Sequence, residues 1–125
     1  MHYHVSMKRI TTLEEIPARG MKFAYMEGPL EEEGILLKMR DGSVRAYKNE
    51  CRHLPMRLDD RAPSEFFDAD KGQLTCNSHG ACFRADDGLC TGGPCKGSHL
   101  RIVLVTVQNG VVFVDESVTG SFFDV

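Results

Sequence analysis

The sequence predicts an all-β fold of short antiparallel strands joined by long central loops. Three observations carry this reading. Met21, Phe23 and Tyr25 alternate with Lys22, Ala24 and Met26, the period of a strand with one covered face. Asp41-Gly42 and Asn109-Gly110 each sit between apolar runs, where tolerance of positive φ suits a tight hairpin turn. No stretch sustains a helical period over a useful length.

The elements follow in order. The polar segment 11–19, with Pro17, reads as a leading turn. The strand over 21–26 is broken by Gly28, Pro29 and the acidic run Glu31, Glu32 and Glu33, which reads as a solvated turn; a partner-docking patch is the alternative. Residues 35–39 and 44–47 form a first hairpin around Asp41-Gly42. Gly-, Pro- and Asp-rich stretches follow, with short strands at 73–75 and 81–83. Loops of this length in a small domain usually carry function. Residues 100–107 and 111–114 form the closing hairpin around Asn109-Gly110. Leu100, Ile102 and Leu104 on one face, with Val103, Val105 and Val107 on the other, predict a strand covered on both sides. The segment 117–125 carries Phe122 and Phe123, expected to pack onto the sheet.

A chain of 125 residues suits a single domain spanning 1–125. Hydrophobic residues at 42% and charged residues at 26% exclude a disordered tail. A net charge of -3 gives no electrostatic reason to hold nucleic acid or anionic lipid. No apolar run approaches the roughly 20 residues of a membrane span, and residues 1–9 lack an apolar core of signal-peptide length. A cytoplasmic protein without nucleic-acid or membrane partners is expected. The five cysteines are Cys51, Cys76, Cys82, Cys90 and Cys95. An odd number in a reducing compartment favours metal ligation over a disulfide framework.

Two loops bring cysteine and histidine together. Cys51-Arg52-His53 follows the strand ending near Tyr47. Cys76-Asn77-Ser78-His79-Gly80 follows the short strand at Leu74. The pattern is C-x-H, 22 intervening residues, then C-x-x-H. Each loop offers a soft thiolate and a borderline imidazole. Buried cysteines beside incidental histidines would not repeat that pairing, although cysteine alone is a common core residue. Two cysteines and two histidines also form a zinc set. Zinc fingers, however, group their cysteines together and their histidines together. Mixed loops suit two metals side by side with different ligands.

The loops, within "CRHLPMRL" and "CNSHGACFRADDGLCTGGPCKGSHL", resemble those of Rieske [2Fe-2S] proteins, and the likeness to stand-alone bacterial members runs over 34–114. The resemblance implies a Rieske fold of sandwich-like sheets, with a cluster-binding part at about 49–97 formed by the two loops. It assigns Cys51 and Cys76 to one iron and His53 and His79 to the other. Gly80 matches the small residue after the second histidine, and Gly92-Gly93-Pro94 the proline loop over the cluster. The ligand pairs lie further apart than is usual, which lengthens the loop over 57–71. Phe66 and Phe67 in that loop are expected in the core.

Two ferric ions, two sulfides and two thiolates make the oxidised centre formally neutral. An all-cysteine cluster would carry two more negative charges, so the histidines raise the potential. Full coordination of both irons argues for electron transfer rather than substrate chemistry. High-potential relatives carry hydroxyls where this chain has Ala81 and Phe83, and a disulfide where it has Met56 and Ser78. The low end of the Rieske range is therefore expected, with Arg52 and Arg57 read as solvated surface. The ring edges of His53 and His79 are the expected electron exit.

The resemblance implies a soluble Rieske ferredoxin, not itself an enzyme. It would pass single electrons from a flavin-dependent reductase to a terminal oxygenase or reductase. The alternatives are a small subunit of a larger oxidoreductase, such as an assimilatory nitrite reductase, and a structural zinc-binding interaction module. Of the other residues, Cys82 reads as a small buried hydrophobe, Cys90 and Cys95 as a conceivable redox or bridging pair, and His99 as surface.

Overall fold

A computed structural model describes residues 7–50, 58, 66–76, 80–93 and 96–116. Ten strands among them form three antiparallel sheets: β1 (Met7–Thr12), β2 (Met21–Glu27), β3 (Leu30–Lys38), β4 (Val44–Lys48), β5 (Phe67–Asp68), β6 (Gln73–Thr75), β7 (Cys82–Arg84), β8 (Cys90–Gly92), β9 (Val105–Gln108) and β10 (Val111–Asp115). The sheet orders are β1-β10-β9, β2-β3-β4 and β5-β6-β7-β8. One 3-10 turn, Leu13–Glu15, follows β1. The expected all-β class is what the chain adopts.

The sheet β2-β3-β4 carries a separate core on each side. Ile35, Leu37 and Tyr47 join Leu58, Phe66, Leu74, Cys76, Ala81 and Phe83. Leu36, Phe23, Tyr25 and Ala46 join Val103, Val112 and Val114. Successive side chains of a strand point to opposite faces, so the run Ile35-Leu36-Leu37 fills both cores at once. All three residues are completely buried.

The strand covered on both sides is thus β3, and not the segment 100–107. In that segment Leu100 and Val103 are buried, but Ile102 is 62% exposed, and Leu104 and Val107 are exposed too. Its hydrogen bonding explains the failure. Val103 N–H donates to Ala46 O (3.0 Å) and Arg101 O accepts from Lys48 N–H (2.9 Å), whereas Leu104 O accepts from Asp115 N–H (3.0 Å). The chain passes from β4 to β10 within four residues, and regular alternation does not survive the crossing.

Other expectations shift as well. The leading turn is shorter than 11–19, because Thr11 and Thr12 pair with Val112 and Val111 at the end of β1. The acidic run is strand rather than turn: Glu31, Glu32 and Glu33 pair with Met26, Tyr25 and Ala24. Lys48 Nζ lies 3.3 Å from Glu32 and 3.9 Å from Glu27, and this cation offsets the local negative charge. The turn itself falls at Gly28-Pro29. The first hairpin closes through Met39 N–H to Ser43 O (2.7 Å) and Gly42 N–H to Met39 O (2.9 Å). Its loop is three residues with Gly42 alone left-handed (φ 89°), instead of a two-residue primed turn. The Asn109-Gly110 turn does have both residues left-handed, at φ 53° and 77°. The strand expected over 81–83 is β7, one residue later. Phe66 is buried and Phe67 packs against the same core, as expected. Phe122 and Phe123 lie outside the described residues.

Two side chains tie the central sheet to the turn between β7 and β8. Tyr47 Oη donates to Ala85 O at 2.7 Å, and burial pushes its pKa up to about 12. Arg45 Nη2 lies 2.8 Å from Asp86 on the same turn, at the surface.

Tyr47→Phe leaves the buried Ala85 carbonyl without this donor and should cost about 1–3 kcal/mol, read as the urea midpoint at unchanged m-value. Asp87 gives a pH test. Its bond with Arg84, then the Leu89 N–H, lowers its pKa from 3.8 to about 2. A lowered carboxyl pKa adds stability above the unfolded value, lost as pH falls through the folded one. Wild type should exceed Asp87→Asn in urea midpoint at pH 7, with the difference closing between about pH 4 and pH 2.

Candidate metal centre

Of the four expected ligands, the structure describes Cys76; Cys51, His53 and His79 lie outside the described residues, as do Arg52, Met56, Arg57, Ser78, Pro94 and Cys95. The frame around these segments is described.

The second loop starts where β6 ends. Cys76 N–H donates to Ala81 O at 2.8 Å, and Cys76 O accepts from Gly80 N–H at 2.9 Å. Cys76 and Ala81 are thereby held together across the loop that carries His79. Gly80 takes the left-handed conformation (φ 72°) that lets the chain return into β7. Cys76 is completely buried, in one core with Leu74, Ala81 and Phe83.

The third segment presses on this base. A Cβ placed on Gly93 would lie 2.8 Å from Ala81 Cα, and Gly93 itself is left-handed (φ 89°). Only a residue without a side chain lets the loop after β8 approach so closely.

The first loop is framed by Asn49 and Leu58. Asn49, 5% exposed at the end of β4, accepts from Leu58 N–H on Oδ1 at 2.9 Å. Its Nδ2 donates to Glu33 Oε1 at 2.8 Å, and its backbone N–H donates to Glu33 O at 2.8 Å. Asn49 was not singled out from sequence, and Glu33 was read only as part of the acidic run. The available signal was a carboxamide two residues before the first cysteine.

Ala81 and Phe83 are both completely buried and lack hydroxyls, as the sequence indicates. Cys82 corrects an expectation: it is half-buried, with Sγ accepting from Gln73 Nε2 at 3.2 Å. Residues on a strand alternate sides, so Ala81 and Phe83 point inward and Cys82 outward. Cys90, like Cys76, is buried, and it donates to Gly92 O at 3.2 Å. His99 is exposed, as expected, and its backbone forms a bridge with Leu89.

This frame fits a cluster held between two loops. It offers a buried thiol, small residues at 80, 81 and 93, and chain ends pinned on both sides of the segments that carry the C-x-H and C-x-x-H motifs. Three antiparallel sheets with this frame are compatible with an iron–sulfur carrier module. The chain belongs to the Rieske [2Fe-2S] domain family, which matches residues 8–114. A Rieske domain binds a [2Fe-2S] cluster.

Solved structures share the fold. The ferredoxin of carbazole 1,9a-dioxygenase from Nocardioides aromaticivorans IC177 matches at 24% identity and a TM-score of 0.64, over 86% of this chain and 97% of that one. A chain from the complex of reduced oxygenase and oxidized ferredoxin in carbazole 1,9a-dioxygenase matches at 20% identity and 0.64, over 85% and 98%. A chain of the reduced complex of that system matches at 20% and 0.66, over 87% of this chain, but there the protein spans 28% of its counterpart. No curated protein matches at a significant level.

Gly93→Ala combines a left-handed Cβ with a backbone clash and should cost about 2 kcal/mol or more. The expected result is a lower melting temperature together with less iron per chain after anaerobic purification.

Proposed function

We propose that this protein is a Rieske ferredoxin, with Cys51 and Cys76 as thiolate ligands and His53 and His79 as imidazole ligands. It accepts one electron at a time from a flavin-dependent reductase and passes it to a terminal oxygenase or reductase in the cytoplasm. The observation that carries this is the family match over a chain whose described loop ends enclose the C-x-H and C-x-x-H segments. The ferredoxin of an oxygenase system, of nearly the same length, supports the choice of acceptor. Among the described residues no helix is long and apolar enough to cross a membrane.

The cluster supplies a one-electron couple, and the chain's part is to hold it and tune it. Buried Ala81 and Phe83 offer no hydroxyl toward the sulfur atoms, so electron density on sulfur stays unrelieved and the reduced state is less favoured. Neutral imidazoles in place of two thiolates act in the opposite direction and keep the potential above that of all-cysteine ferredoxins. With four protein ligands, neither iron keeps a position for substrate, in accord with a carrier rather than a catalyst.

The test is direct. Anaerobically purified protein should be red-brown, contain iron and labile sulfide in equal amounts, and give a rhombic paramagnetic signal after dithionite. A colourless, zinc-containing product would overturn the proposal. Its midpoint should lie near about -150 mV rather than about +300 mV, measured by potentiometric titration. His53→Ala or His79→Ala should abolish reduction by a flavin reductase.

A further inference from the structure

The carboxamide of Asn49 uses both of its ends. Its oxygen accepts from the backbone N–H of Leu58, nine residues on, and its nitrogen donates to the Glu33 carboxylate of β3. A backbone N–H can only donate and a carboxylate can only accept, so the two partners fix the orientation of the amide. Leu58, completely buried, belongs to the same core as Cys76 and Ala81. One amide therefore ties the end of β4 to a residue already seated against the base of the second loop.

We propose that Asn49, oriented by Glu33, is a positioning residue for the cluster, setting the first ligand loop in register with the second. This rests on the reading of Cys51 and His53 as ligands. Both stand between Asn49 and Leu58 in sequence, so the bond closes the neck of the segment that carries them. Closing a short loop removes conformational freedom that metal binding would otherwise have to remove. The bond is buried, and losing its acceptor strands the Leu58 N–H away from water. Backbone bonds already hold the second loop, whereas a side chain holds the neck of the first. The first loop's fit to the metal therefore depends on the side chain at 49 and on a matching hydrogen-bond partner at 33.

The experiment compares wild type, Asn49→Ala, Asn49→Asp, Glu33→Gln and the exchange variant Glu33→Gln/Asn49→Asp, all purified anaerobically. Iron release to a chelator is timed well below the melting temperature, and g-values are recorded after dithionite. Asn49→Ala should release iron about tenfold faster, with shifted g-values, the scale expected for one stranded buried N–H. Asn49→Asp should also be faster, because it sets two carboxylates face to face. Glu33→Gln keeps a carbonyl acceptor and should stay near wild type. In the exchange variant the donor moves to residue 33 while residue 49 still accepts from Leu58, so release should return to within about twofold of wild type.

Wild-type release rates and g-values in Asn49→Ala and Asn49→Asp would overturn the proposal. So would an exchange variant that folds but releases iron as fast as Asn49→Asp. If Asn49→Ala does not fold, the comparison of Asn49→Asp with the exchange variant decides. A wild-type protein with no iron or sulfide would instead refute the ligand reading, and the positioning role with it.

Discussion

Everything in this molecule hangs on the double burial of β3. A small chain has little apolar surface to spend, and here it builds two modest cores instead of one large one. They can coexist because Ile35 and Leu37 face the loop-bearing side while Leu36 faces β1, β9 and β10. A polar residue at any of the three would be desolvated without a partner and would weaken both the sheet and one core. The remaining strands are short, and several of two or three residues would have no stability alone.

On that support the metal-binding end is assembled from few bonds. Cys76, Gly80 and Ala81 close the second loop through main-chain atoms, which tolerate many changes of side chain. Gly93 and Asn49 act differently, one by lacking a side chain and the other by having a bifunctional one.

Local chemistry made part of this legible in sequence. Asn109-Gly110 was read correctly because its turn type depends on two adjacent residues. The alternation of Met21, Phe23 and Tyr25 located β2 because one face of it is buried. The family was legible in the C-x-H and C-x-x-H spacing because metal chemistry demands particular side chains close together. What escaped depends on distant partners. β5 and β8 are strands only because β6 and β7 lie beside them. The glutamates of β3 looked like a turn until Lys48 and Asn49 came near. The bond from Asn49 to Glu33 joins residues sixteen apart through the pairing of β3 with β4. The lengthened segment between the ligand pairs was expected to hold core phenylalanines, and Phe66 with Leu58 bears out its contribution to the interior.

The two cores share a wall, and that has a mechanical consequence. Strain introduced among β1, β9 and β10 reaches the loop-bearing end through β3 and β4, whose side chains border both compartments, and through the segment from Leu100 to Val103. Both strands present alternate residues to each side, so neither can slide or rotate to please one neighbour without disturbing the other. The far half of the protein, though remote from any electron, acts as ballast that keeps the redox end still.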